Sequence, residues 1–116
     1  MISLKVLAAV SAMMATNVLA STGDEIEHLL QFVKTTSCQY ERNGTVHNGE
    51  EAVAHIRKKY RYFKDDIESA EDFIKYSATK SKMSGKYYQV HCDNLPALNS
   101  RDWLLKELAR YRASRK

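Results

Sequence analysis

Four segments of the chain place apolar residues three and four positions apart, a spacing typical of helices with one buried face. In the first segment this stripe is Ile26, Leu29, Leu30 and Val33. The four predicted helices cover approximately residues 22–35, 50–63, 66–79 and 101–112. Capping-box spacing of Thr22 with Glu25 and of Asn48 with Glu51 marks the starts of the first two helices. His28 falls off the apolar stripe, so we expect it to be solvent-exposed and without a role.

Between the first two helices the pattern changes to the alternation that is typical of strands. Cys38 to Arg42 alternates, and Thr45 to His47 predicts its return strand. Asn43-Gly44 favours a two-residue type I′ turn, because both residues tolerate positive φ. Lys86 to Cys92 predicts a third strand. We therefore expect an α+β fold, with about four helices packed on a small three-stranded antiparallel sheet made of the hairpin and one further strand.

The chain has two cysteines, Cys38 and Cys92. There is no CxxC pair and no histidine at zinc-finger spacing, so a disulfide is favoured over two free thiols or a metal site. Closing a loop of about 55 residues is worth roughly 4 kcal/mol in the chain-entropy description. The bond also requires Cα atoms roughly 4.4–6.8 Å apart, which predicts that the first and third strands are neighbours. Disulfides persist in oxidising compartments, so the pair indicates export.

The first twenty residues have the three parts of a secretory signal peptide. A short basic start that ends at Lys5 precedes a mostly apolar stretch, and Val18-Leu19-Ala20 has the small-x-small pattern of a cleavage site. A membrane anchor is the alternative, but an apolar run of about 14 residues is short of the roughly 20 needed to span a bilayer. We predict a signal peptide over residues 1–20, a single domain over residues 21–116 and a location in the periplasm.

The formal net charge of +4 is concentrated at the end of the chain. Its basic residues there are Arg110, Arg112, Arg115 and Lys116. Cations are favoured at the C-terminal end of a helix by the helix dipole, so a solvated helix end is the simpler interpretation. Weak contact with an anionic membrane surface is the alternative. We expect neither a membrane span nor a nucleic-acid partner.

Four spaced blocks of the mature chain carry a family resemblance. They are Cys38-x-Tyr-x-Arg-Asn-Gly-x-x-His, Glu51-Ala-x-x-His-Ile-x-x-Lys-Tyr, Ala70-Glu-Asp-Phe-Ile and Ser81-x-x-Ser-Gly-Lys-x-Tyr. Together they resemble the YfeK-like family of small exported bacterial proteins of unknown function. The resemblance implies a protein of the Gram-negative envelope, and it implies no activity.

One candidate site is a polar cluster at the start of the second helix. Arg42, His47, Glu51, His55 and Lys59 belong to it. Residues four apart share a helix face, so Glu51, His55 and Lys59 lie on one stripe. His47, Glu51 and His55 could form a zinc site of the catalytic type. The simpler interpretation is an imidazole–carboxylate pair that fixes the hairpin to the helix.

A second candidate is the serine-rich basic loop before the third strand. Ser81, Ser84 and Lys86 offer donors to an anion, a peptide or a glycan, and Tyr88 follows them. With Asn43 at the hairpin tip and the polar cluster, the candidate binding residues are Arg42, Asn43, His47, Glu51, His55, Ser81, Ser84, Lys86 and Tyr88.

The sequence thus favours a non-catalytic binding, adaptor or inhibitor module that recognises an envelope protein or polymer and uses no cofactor. The alternative is a small metal-dependent hydrolase that uses His47, Glu51 and His55.

Overall fold

A computed structural model describes residues 20–115, which form an α+β fold. Its helices are α1 (Thr22–Lys34), α2 (Gly49–Tyr62), α3 (Ala70–Ser77) and α4 (Ser100–Ser114). Its strands are β1 (Gln39–Arg42), β2 (Thr45–His47), β3 (Gln89–His91) and β4 (Leu98–Asn99). The strands form one antiparallel sheet in the order β2-β1-β3-β4. The predicted signal peptide and Lys116 lie outside the described residues, apart from Ala20.

The hairpin and the disulfide are confirmed. Asn43 and Gly44 have φ of 52° and 80°, as a turn with two positive φ angles requires. β1 pairs with both β2 and β3, so the first and third strands are neighbours. Cys38 and Cys92 are bonded, with their Cα atoms 4.4 Å apart. The disulfide therefore joins the start of β1 to the end of β3, leaving the hairpin tip at the opposite end of the ribbon.

The prediction of three strands is wrong, because β4 is a fourth. After the loop that contains Pro96, the chain runs back beside β3 and pairs Leu98 with Val90. The Ser100 backbone N–H then donates to the Tyr88 carbonyl at 2.9 Å. Two residues are too few to show an alternating pattern in the sequence. β4 is a strand because it pairs with β3.

The third helix is shorter than predicted, because local capping starts it late. Lys64–Asp66 forms a separate 3-10 turn. Ser69 Oγ accepts from the Asp72 backbone N–H at 3.0 Å, which caps α3 at Ser69. At the other end, Thr79 Oγ1 donates to the Ile74 carbonyl at 2.8 Å and closes the last turn.

Reciprocal side-chain caps start α1 and α2. In α1 the pair is Ser21 with Asp24, one residue earlier than the predicted pair of Thr22 and Glu25. In α2 the predicted pair is confirmed. The Glu51 backbone N–H donates to Asn48 Oδ1 at 2.9 Å, and the Asn48 N–H donates to Glu51 Oε1 at 3.0 Å.

All four helices contribute to one core with the sheet. The side chains in this core that are at most 2% exposed include Leu30, Ile56, Phe73, Ile74, Val90 and Leu104. Two tyrosines extend this core toward the hairpin tip. The hydroxyl of Tyr40 is hydrogen-bonded to Ser100 Oγ, and the Tyr40 ring lies 5.9 Å from that of Tyr88. The hydroxyl of Tyr88 marks the boundary between the core and the candidate site.

The end of α4 is tied to the body by ion pairs. Arg112 donates to Glu25 on α1 at 2.7 Å and to Glu71 on α3 at 2.7 Å. His28, expected to be exposed, is instead half-buried. Its Nε2 lies 2.6 Å from Glu107 Oε2 and its ring stacks on Tyr111. Part of the basic C-terminus therefore has a structural role, because these contacts join three helices.

Within residues 20–115, no helix has the length and apolar character needed to cross a membrane.

Candidate functional site

The hairpin tip and the serine-rich loop, predicted separately, touch each other. Asn43 Nδ2 donates to Ser81 Oγ at 3.4 Å, and Ser84 Oγ donates to Asn43 Oδ1 at 2.6 Å. The loop is closed by its own backbone, since the Ser81 N–H donates to the Lys86 carbonyl at 2.9 Å. Gly85 permits this with φ of 73°. The hairpin and the loop therefore make one ordered wall.

A pocket of about 430 Å³ lies between this wall and α2, and we call it the hairpin pocket. It is lined by five of the predicted binding residues, namely Arg42, Asn43, His55, Ser81 and Tyr88. Sequence reasoning missed its remaining lining as binding residues, namely Lys58, Lys59, Tyr62, Phe63, Lys82 and Met83. Spacing on the second helix placed Lys59 in the polar cluster, but this signal did not show that Lys59 meets the serine-rich loop.

At the base of the pocket, Tyr88 links two side chains of α2. Lys59 Nζ donates to the Tyr88 hydroxyl oxygen at 3.1 Å and to the Lys80 carbonyl at 2.8 Å. His55 Nε2 lies 3.3 Å from the same hydroxyl. Because an ammonium can only donate, the Tyr88 O–H is left to donate to a neutral His55. The three groups form a directed hydrogen-bond chain.

Burial and positive charge perturb each member of this chain. Burial, followed by the charges of Arg42 and Lys59, lowers the pKa of His55 to about 4. Burial, with Arg42 and Lys82, lowers the pKa of Lys59, and burial raises the pKa of Tyr88. At neutral pH His55 is therefore uncharged and Tyr88 is a phenol. Such clustering of perturbed groups beside a pocket is typical of functional sites.

The pocket has cations and no compensating anions. Its lining contains Arg42, Lys58, Lys59 and Lys82, and within the described residues no Asp or Glu lines it. The ammonium of Lys82 lies 5.0 Å from the centre of the Tyr62 ring. A ligand that carries negative charge and an apolar face would be complementary to these walls.

Four predicted candidates lie away from this lining. His47 Nδ1 is 3.8 Å from Glu51 Oε1, which agrees with the imidazole–carboxylate interpretation. Ser84 fixes the hairpin tip, and its Oγ accepts from the Lys86 backbone N–H at 3.2 Å. His47, Glu51, Ser84 and Lys86 are therefore absent from the lining of the hairpin pocket.

The residues of the zinc hypothesis are directed to different partners. His55 reaches toward Tyr88, whereas Glu51 accepts from the backbone of its own helix cap. Among residues 20–115, no group of three His, Cys, Asp or Glu residues is placed to hold a metal ion.

Comparison with known proteins places the chain among proteins of unknown function. A family model described as a family of unknown function, DUF5329, matches residues 20–112. A protein of Salmonella typhimurium (strain LT2) that bears the name Uncharacterized protein YfeK is 47% identical over 47 residues. That match covers 40% of this chain and 39% of the relative, so it spans less than half of either. No solved structure matches. The resemblance to YfeK-like proteins is confirmed, and neither the family nor this relative has an assigned activity.

Proposed function

Since this chain belongs to DUF5329, a family of unknown function, we propose that it is an exported, non-catalytic binding module of the periplasm. The hairpin pocket recognises an envelope protein or polymer. One observation carries the proposal, namely that the pocket combines aromatic walls with cations, and among residues 20–115 no carboxylate lines it. Export is supported by the disulfide, which is stable in an oxidising compartment.

The pocket is better suited to binding than to catalysis. Its phenol has a raised pKa, which opposes formation of a nucleophilic phenolate. The base that faces this phenol, His55, has its pKa lowered to about 4, so it is a weak proton acceptor at neutral pH. The same groups serve recognition well, because a directed hydrogen-bond chain holds Lys59 in one orientation.

Photo-cross-linking in intact cells tests the module. A photoreactive amino acid replaces Met83, which lines the pocket and is 98% exposed. Leu95 is the matched control, because it is an exposed apolar residue outside the pocket lining and is 66% exposed. We expect a discrete adduct from position 83 that is absent from position 95 and is lost when Lys59→Met is added. Equal labelling from both positions, or none from either, would contradict the proposal.

A further inference from the structure

A second pocket, of about 530 Å³, lies next to the hairpin pocket. The two share Lys59, Phe63 and Lys82, which form the partition between them. We call the second one the loop pocket, because the 79–87 segment lines it opposite the end of α2. We call the two adjoining pockets together the basic cleft.

The basic cleft has a strong excess of positive charge. The cations that line it are Arg42, Lys58, Lys59, Lys75, Lys80, Lys82 and Arg101, and within residues 20–115 no carboxylate lines either pocket. Of these seven, only Arg101 belongs to an ion pair among the described residues, with its neighbour Asp102 at 3.1 Å. The other ion pairs of the described part lie elsewhere on the molecule. Mutual repulsion of these cations would be relieved by a bound polyanion.

Each pocket repeats the same pairing of an ammonium group with an aromatic ring. In the hairpin pocket, Lys82 lies 5.0 Å from the centre of the Tyr62 ring. In the loop pocket, Lys75 lies 5.3 Å from the Tyr76 ring and Lys80 lies 5.9 Å from the Tyr87 ring. A repeated pairing on the two sides of a partition fits a ligand that itself repeats, with one charge per unit.

The exposed rings indicate what the repeating unit is. Tyr62 and Tyr87 are 73% and 56% exposed, one in each pocket, and neither is needed to fill the core. Aromatic rings of this kind pack against the apolar C–H faces of sugars, and their hydroxyls can bond sugar hydroxyl groups. In the hairpin pocket the side chains of Asn43 and Ser81 offer further hydrogen bonds to such groups. Both pocket volumes fall in the range of small-ligand sites.

The cleft does not suit an acidic peptide that binds by strand addition. In that mode an extended peptide joins an open sheet edge, where backbone groups supply the affinity. Here the neighbouring backbone is already bonded. The Lys80 carbonyl accepts from Lys59, and the Tyr88 N–H donates to the Thr79 carbonyl at 3.0 Å. The cleft therefore offers side chains rather than a strand edge.

We propose that the basic cleft binds an acidic polysaccharide, with successive charged sugar units in the hairpin pocket and the loop pocket and the ammonium groups of Lys59 and Lys82 between them. This inference rests on the proposed binding function and names its ligand class. The cations of the cleft bind the acidic groups of the polysaccharide, and Tyr62 and Tyr87 pack against its sugar rings.

Binding of defined oligomers to the full mature protein tests the inference. The probe is a mannuronate hexamer, which carries one carboxylate on each sugar. The comparison ligands are maltohexaose as a neutral glycan, hexaglutamate as an acidic peptide and a hexamer of thymidylate as a nucleic acid. We expect the mannuronate hexamer to bind at least tenfold more tightly than each of them. Equal binding of the three polyanions, equal binding of maltohexaose, or no binding of the mannuronate hexamer would overturn the inference.

Two variants test whether the ligand spans both pockets. Arg42→Gln removes a charge from the hairpin pocket alone, and Lys75→Gln removes one from the loop pocket alone. Each should weaken binding of the hexamer about threefold, and the double variant about tenfold, as expected for exposed charges. Lys106→Gln, at an exposed position outside both pockets, is the control and should change nothing. If only one of the two single variants binds the hexamer more weakly, the ligand occupies a single pocket and the proposal that it spans both is overturned.

The two proposals fail in different ways. If the mannuronate hexamer does not bind while cross-linking from Met83 still yields an adduct, the ligand class is wrong and the binding module stands. If neither experiment gives a signal, the binding module itself is contradicted.

Discussion

Gly49 lies at the first position of α2, where it contacts the last turn of α1. An added Cβ would lie 2.4 Å from the Val33 carbonyl oxygen and 2.7 Å from that of Lys34. Both atoms belong to backbone, so neither can rotate away, and Gly49→Ala must push the two helices apart. Overpacking of this kind costs about 1–3 kcal/mol, against a gain of less than about 1 kcal/mol from replacing a helical glycine. We therefore expect the free energy of unfolding to fall by about 2 kcal/mol.

Urea unfolding followed by circular dichroism measures this change. With a slope near 1–1.5 kcal/mol per molar urea, the midpoint of Gly49→Ala should fall by about 1.5 M. Gly23→Ala is the matched control, because it also lies in the first turn of a helix but its Cβ would meet only Ser21 Oγ, at 3.8 Å. That variant should be as stable as the wild type or slightly more so. If Gly49→Ala unfolds within about 0.3 M of Gly23→Ala, the close packing of α1 on α2 is wrong.

Three further predictions concern the stability of the fold. Replacing Cys38 and Cys92 by serine removes a cross-link between residues that are 54 positions apart. The free energy of unfolding should therefore fall by about 4 kcal/mol and the urea midpoint by roughly 3 M. An unchanged urea midpoint would contradict this prediction. His55 has a pKa of about 4 when folded and near 6.5 when unfolded, so the unfolded chain binds more protons between these values and stability must fall as the pH drops from 6.5 to 4. His55→Gln should make the urea midpoint depend less on pH between 6.5 and 4. An unaltered pH dependence would refute the role given to His55. Tyr40→Phe leaves the buried Ser100 hydroxyl without its tyrosine partner, so the free energy of unfolding in urea should fall by about 1–3 kcal/mol. Adding Ser100→Ala should recover part of this loss. If the effects of the two substitutions simply add, the two hydroxyls are not coupled.

The features that were predicted correctly depend on short-range chemistry. Asn43-Gly44 determines its own turn, because few residues tolerate two positive φ angles in succession. Asn48 and Glu51 cap each other within one helical turn. The single possible cysteine pair then required two distant strands to be neighbours, which supplied the one long-range contact that the sequence made readable.

The features that were missed depend on contacts between distant parts of the chain. β4 exists because Val90 offers a partner to Leu98, and its own two residues carry no pattern. His28 was predicted to be exposed because the stripe of α1 excludes it, yet Glu107 and Tyr111 arrive from α4 to bury it. The predicted start of the third helix at residue 66 was wrong, because the acidic residues there form a separate 3-10 turn and Ser69 caps the helix that follows.

The candidate site was predicted in pieces. Spacing on one helix placed His55 and Lys59 together, and turn and loop composition singled out Asn43 and Ser81. Their meeting at one pocket follows from the packing of the loop on the hairpin tip, which no local pattern encodes. The excess of positive charge was predicted at the C-terminus, where Arg112 is in fact paired with two glutamates. The lysines of the basic cleft, which join no ion pair in the described part of the chain, are scattered along the sequence and come together only in the fold.

Mapping the mannuronate hexamer onto the protein by amide and side-chain NMR tests the central claim most directly. Our account predicts saturable shifts that are confined to the basic cleft and include Lys59, Tyr62, Lys82 and Tyr87. Shifts that centre instead on the C-terminal end of α4, around Arg115, or the absence of any saturable shift, would contradict it.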